Sequence, residues 1–139
     1  MLSKAFPMLS IVVLLFPMGF FALASPPLLV LKHDTPLDGR FVRSMFNLYY
    51  VVVMTIAALA AAGCAAVGHL LLAFAMGLVL AFVFALRLWM VSGFDRLRAE
   101  IAAGAAGAVK RFKRWHLAGM VVNVFQIAAV AWGLTRLVA

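Results

Sequence analysis

"LLLAFAMGLVLAFVFALRLWMV", residues 70–91, holds a single charge, Arg87. About 20 apolar residues in a helix cross the ~30 Å hydrocarbon core of a bilayer, so this run predicts a membrane span. Phe6 to Leu31, Phe46 to Val67 and Trp115 to Leu134 predict three more. Hydrophobic residues make up 68% and charged residues 12% of the 139. A soluble domain is nearer half apolar and about a quarter charged, so this chain cannot cover its own apolar surface in water. The length suits one domain.

Only Gly68-His69 and its neighbours separate the second and third runs, which predicts a tight helical hairpin. The polar stretch "SGFDRLRAEIAAGAAGAVKRFKR", residues 92–114, is expected as a cytoplasmic loop loosened by Gly104 and Gly107. The first run resembles a secretory signal, with Lys4, an apolar centre and Ala22-Leu23-Ala24 as a cleavage motif. Its apolar character resumes through "PPLLVL", so a retained helix is expected, bent at Pro17, with Pro26-Pro27 as a second bend point.

Orientation follows the cations. Of the twelve Lys and Arg, ten fall beside the first and third loops: Lys32, Arg40, Arg43, Arg87, Arg96, Arg98, Lys110, Arg111, Lys113 and Arg114. Lys4 and Arg136 fall on the other side. The expected fold class is therefore all-α: an integral membrane four-helix bundle with N and C termini outside and loops 1 and 3 cytoplasmic. A bacterial inner (plasma) membrane or its equivalent is the expected location. The net charge of +8 lies beside apolar runs, a placement that meets anionic lipid head groups rather than nucleic acid. Lys110, Arg111, Lys113 and Arg114 are the expected head-group contacts, with Trp115 as an interfacial anchor.

Helices in lipid associate through close packing and a few hydrogen bonds. Ala73, Gly77, Ala81 and Ala85 place a small residue every four positions on the third helix. The second offers the rows Ala57-Ala61-Ala65 and Ala58-Ala62-Ala66. The hairpin predicts that these stripes face each other, and any stripe left free becomes a candidate homodimer seam. Phe74, Phe82 and Phe84 are then expected to face lipid or a partner.

All four acids, Asp34, Asp38, Asp95 and Glu100, fall in the expected loops, which disfavours a carboxylate-based pump. The polar groups at depth are neutral: Asn47, Tyr49, Tyr50 and Thr55 in the second helix, Asn123 and Gln126 in the fourth. His116 and Asn123 are seven positions apart and share a helix face with Gly119 between them. Together with Asn47, Tyr50 and Arg87 they form the candidate cluster. It serves either as a cytoplasm-facing ligand pocket or as ordinary interhelical bonding, with Arg87 snorkelling to phosphates. His33 and His116 lie on one side and His69 on the other, so only the first two can share a haem b or a metal ion. The lone Cys64 builds no disulfide or metal site by itself. No GxSxG, HExxH, phosphate loop or dinucleotide fingerprint occurs, so an enzyme is not expected.

Three stretches carry a family resemblance: "SPPLLVL" closing the first helix, "RFVRSMFNLYYVV" opening the second and "FKRWHLAGMVVNVF" opening the fourth. They resemble the uncharacterised four-helix membrane proteins, a domain of unknown function, related to the eukaryotic transmembrane protein associated with cisplatin resistance. Phe112, Arg114, His116 and Asn123 match that family's fourth-helix pattern, and Phe46, Tyr49 and Tyr50 its second. "LRLWMVSGFDRLRAE" lacks the proline the family carries there. The resemblance implies four helices and a membrane location, and no reaction. Two functions are expected: a non-catalytic accessory or scaffold subunit, packed against itself or other membrane subunits, or the binding or transport of a small hydrophobic or metal-bearing ligand.

Overall fold

The computed structural model describes residues 2–138, with side-chain surroundings for 5–135. The side chains of Lys4 and Arg136, the two cations expected on the outer side, lie outside that range. Among the described residues there are four α-helices: α1 (Leu2–Ala24), α2 (Pro36–Ala66), α3 (Leu70–Ala102) and α4 (Ala108–Val138), with a short 3-10 helix at Pro26–Val30. All four α-helices are long and apolar enough to cross a membrane.

Each helix end has a local cause. α1 runs unbroken through Pro7 and Pro17 and stops before Pro26-Pro27. Ser25 keeps helical backbone angles, but neither proline has an N–H to continue the α-helical ladder, and the chain tightens into the 3-10 turn instead of continuing to Leu31. Thr35 caps α2, accepting a hydrogen bond from the Asp38 amide at 3.3 Å, with Pro36 as the first helical residue. α2 therefore begins ten positions before the expected span at Phe46.

The two hairpins close in the same way. At the end of α2, Gly68 has φ +82, its amide bonds Ala65 O, and the His69 amide bonds Cys64 O. At the end of α3, Gly104 has φ +70, its amide bonds Ile101 O, and the Ala105 amide bonds Glu100 O. Both are Schellman caps, which use a left-handed residue to satisfy the last carbonyls. The second corrects the expected loop: residues 92–102 continue α3 and 108–114 open α4, leaving 103–107 as the connection. α2 and α3, with 31 and 33 residues, reach about 46 and 50 Å at 1.5 Å per residue. They exceed the hydrocarbon thickness, and among the described residues one end of the bundle is apolar up to its hairpin while the other carries the charges. At the charged end Arg43 makes a bidentate pair with Asp95, both contacts 3.1 Å, tying α2 to α3.

α1 packs on α2 and α4, and α3 packs on α2 and α4, so the helices form a closed ring. Phe46 of α2, fully buried, sits at its centre. Its ring meets Phe21 of α1 at 4.8 Å edge-on, Phe94 of α3 at 4.8 Å and His116 of α4 at 5.4 Å. Gly119 makes this possible, since a Cβ there would lie 2.4 Å from Phe46 Cε1 and 2.7 Å from Met90 Cε. Trp115, expected only as an anchor, lies half-buried over Gly93 of α3 and donates to Met90 O at 3.1 Å.

The small-residue stripes do not face each other. α3 turns Met76, Val83, Leu86, Met90, Phe94 and Leu97 inward, and α2 buries Val53, Ala57, Ala60 and Cys64. Ala81 and Ala85 are exposed, and a Cβ on Gly77 would meet nothing within 4 Å. Ala58, Ala62 and Ala66 also face outward. Large inward side chains give more contact area than an alanine seam, and they decide which face of α3 is buried. Phe74, Phe82 and Phe84 point away from the bundle, as expected.

The two glycines separate these cases. Gly119→Ala is expected to destabilise the bundle by about 1–3 kcal/mol through overpacking. Gly77→Ala is expected to cost nothing in the monomer. Thermal unfolding of both variants in one detergent checks the pair.

Candidate functional site

Among the described residues, five polar side chains are buried: Ser25, His33, His116, Asn123 and Gln126. Three belong to α4, at positions 116, 123 and 126. With Phe112 and Gly119 they complete its inward face, at the spacing of one helical stripe. The polar groups sort into two levels along this stripe.

The level nearer the charged end is a histidine pair. His33 and His116 are both 0% exposed, with ring centroids 5.9 Å apart and planes at 42°. His33 reaches this position from the connection between the 3-10 helix and α2, with φ +61. A left-handed conformation is costly for a residue with a Cβ, and here it turns the chain sharply before α2 begins. His33 Nδ1 donates to Leu31 O. That bond holds the proton on Nδ1 and leaves Nε2 with its lone pair. His116 Nε2 bonds Ser25 Oγ at 2.9 Å, and Ser25 is itself fully buried at the end of α1. His33 Nε2 and His116 Nδ1 have no hydrogen-bond partner. Phe112 stands edge-on to His33 at 5.1 Å and Phe46 edge-on to His116 at 5.4 Å.

The deeper level is an amide–phenol ladder. Asn123 Nδ2 donates to Tyr49 Oη at 2.8 Å, and Tyr49 Oη donates to Gln126 Oε1 at 3.0 Å. Asn123 Oδ1 and Gln126 Nε2 are left without partners. The Tyr49 ring stacks on Phe21 of α1 at 4.2 Å. Gln126 also lines an apolar groove of about 530 Å³ between α3 and α4, floored by Met18 and walled by Phe82, Val83, Val122 and Phe125.

The expected cluster is thus divided. His116 and Asn123 share a face, as their spacing predicts, but they bond different partners at different depths. Tyr50 is buried beside Phe46 and Tyr49 rather than beside a ligand-sized opening. Asn47 and Arg87 lie elsewhere, joined to each other across the α2–α3 contact with Arg87 Nε donating to Asn47 Oδ1 at 3.0 Å. Arg87 therefore does not simply snorkel to phosphates. Of the expected head-group cations, Lys110 and Arg114 are exposed and Lys113 is half-buried. Arg111 instead binds Glu100 at 2.6 Å and Ala106 O at 3.1 Å, bracing the second hairpin.

A haem between the two histidines does not fit this enclosure. A porphyrin plane entering there would have to displace Phe46 and Phe112, which pack directly against the rings. Among the described residues, no three His, Cys, Asp or Glu come together as a metal-binding group. Ser25, Tyr49 and Gln126 belong to the site but not to the expected cluster. The stripe at 112, 116, 119, 123 and 126 was enough to find Gln126. Nothing in sequence spacing brings Ser25 to His116, because the two are 91 positions apart.

No protein-family model, curated protein or solved structure matches this chain. The family resemblance therefore rests on the quoted stretches alone.

Tyr49 is the test of the ladder. Tyr49→Phe strands two buried amides and is expected to cost about 1–2 kcal/mol, since an orphaned buried polar group loses more than a made bond contributes. The triple variant Tyr49→Phe, Asn123→Leu, Gln126→Leu is expected to recover most of that loss. Unfolding in detergent measures both.

Proposed function

We propose that this chain is a non-catalytic integral membrane protein that binds a small ligand at the His33–His116 pair. One observation carries the reading: two fully buried imidazoles lie together, each held at one nitrogen and unpartnered at the other. Buried polar groups are normally satisfied, and an unsatisfied one costs about 1–3 kcal/mol. Two such nitrogens on neighbouring rings, one ring reached through a left-handed backbone, make an arrangement that a bound ligand would complete. Wild type purified gently from its native membrane is expected to retain that ligand, seen as added mass in native mass spectrometry. His33→Asn and His116→Gln are expected to lose it. Asparagine suits position 33 because it tolerates φ above zero. Identical masses, after subtraction of the substitutions, would defeat the proposal.

The proposed setting is a bacterial inner membrane or its equivalent, with the charged end of the bundle cytoplasmic and both termini outside. The ten cations grouped toward that end support this orientation. Basic side chains there are suited to anionic head groups, each worth about 1 kcal/mol near such a surface. Ala105→Cys in the second hairpin is expected to react with an impermeant thiol reagent only in inside-out vesicles. The native Cys64 is buried and contributes little background.

A second reading is an accessory or scaffold subunit. The outward stripe Ala73, Gly77, Ala81 and Ala85 favours it, because small residues on a lipid-facing surface let another helix approach closely. Gly77→Leu would then dissociate an assembly without unfolding the monomer.

A further inference from the structure

We propose that the ligand is one monovalent copper ion, held by His33 Nε2 and His116 Nδ1. This rests on the reading of the histidine pair as a binding centre and specifies what that centre takes.

The donor chemistry comes first. His33 Nδ1–H is committed to Leu31 O, so Nε2 offers a lone pair. When His116 Nε2–H donates to Ser25 Oγ, Nδ1 offers the other. A metal-bound imidazole characteristically donates its remaining N–H to a carbonyl or another acceptor, which fixes the tautomer and the ring orientation. His33 has that support from Leu31 O, and His116 has it from Ser25 Oγ in the Nε2–H tautomer.

The spacing agrees. With metal–nitrogen bonds of about 2 Å and each ring nitrogen roughly 1 Å from its ring centre, two imidazoles bound in line on one ion stand about 6 Å apart. The observed centroid separation is 5.9 Å.

Donor number and charge select the ion. Structural zinc takes four ligands, and divalent copper prefers a square-planar or tetragonal set. Here the described residues bring no third His, Cys, Asp or Glu to the pair. The aromatic walls, Phe46 and Phe112, donate nothing. Monovalent copper is satisfied by two nitrogen donors in line. Its single charge also lowers the penalty of burying a cation where no carboxylate neutralises it. The seal around the rings excludes water, which protects the low coordination number.

The test uses the full-length protein in detergent, loaded anaerobically with monovalent copper under ascorbate against a competing chelator. Wild type is expected to take up one copper per chain, with an X-ray absorption spectrum showing two nitrogen neighbours. His33→Asn and His116→Gln are expected to weaken binding on the order of 100-fold or more. Ser25→Ala keeps both donors and is expected to weaken it by roughly 10- to 100-fold, the usual effect of losing an outer support. Helicity and thermal unfolding of each variant report whether the bundle is intact. If a variant does not fold, the wild-type spectrum decides alone, since sulfur neighbours would assign the metal to Cys64 or the methionines and overturn the proposal. Wild-type uptake no greater than that of the double histidine variant would also overturn it. A different native ligand, lost with the histidines in a protein that takes up no copper, would refute copper and leave the binding centre standing. Loss of neither ligand nor copper in the variants would refute both.

Discussion

The seat of Phe46 on Gly119 is the contact on which the rest of the bundle depends. A glycine in a helix interior costs roughly 0.5–1 kcal/mol relative to alanine, and here that cost permits an aromatic ring to touch the α4 backbone. From that position the ring reaches α1, α3 and α4 together through Phe21, Phe94 and His116. In a bilayer, helices gain little from burying apolar surface, because lipid tails are equally apolar. Close interlocking of shapes must do more, and one ring shared by four helices supplies it. Trp115 over Gly93 repeats the device between α3 and α4, closer to the charged end.

Around that centre, the buried polar groups occupy the α1–α2–α4 side of the bundle. α3 contributes large apolar residues to the interior, apart from Gly93 under Trp115, and leaves Ala81 and Ala85 outside. A protein stabilised by interhelical hydrogen bonds alone would satisfy both ends of each amide. Here Tyr49 serves two amides, and each amide still retains one unpartnered atom. The ladder therefore fixes helix rotation while leaving polar capacity at depth, next to an open apolar groove beside Gln126.

Much of the architecture was legible because its cause is local. Four apolar runs of bilayer length gave four helices, and Gly68 marked the first hairpin. Apolar length does not set the helix limits. Hydrogen-bonded caps at Thr35 and Gly104 end the helices, and amphipathic turns beyond the membrane still form. The alanine stripes misled for a different reason. Small residues permit close approach, but they do not require it when Met76, Val83 and Leu86 offer a larger surface on the other face. The site was legible in part: the seven-residue spacing placed His116 and Asn123 on one face of α4. It could not show that Pro26-Pro27 halts α1 with Ser25 against that face, or that His33 folds back across the end of the bundle.

That return path ties the local chemistry to the global fold. His33 sits three residues before α2, so its left-handed turn fixes where the Thr35–Pro36 cap begins and hence the register of the whole second helix. Its ring is meanwhile enclosed by Phe112 and His116 of α4. A change in the bonding of His33 Nε2 therefore acts on the only covalent link between α1 and α2, and through Phe46 on the helix that seats every other one. A ligand completing the pair would stabilise the left-handed turn and lock α1, α2 and α4 together at one end. The ladder at Tyr49 would hold the same three helices at mid-depth, leaving α3 attached through apolar contact, the Asn47–Arg87 and Trp115–Met90 bonds and the charged pairs. α3 packs most extensively on α2, so the face it leaves free is the outward one that carries Ala81 and Ala85.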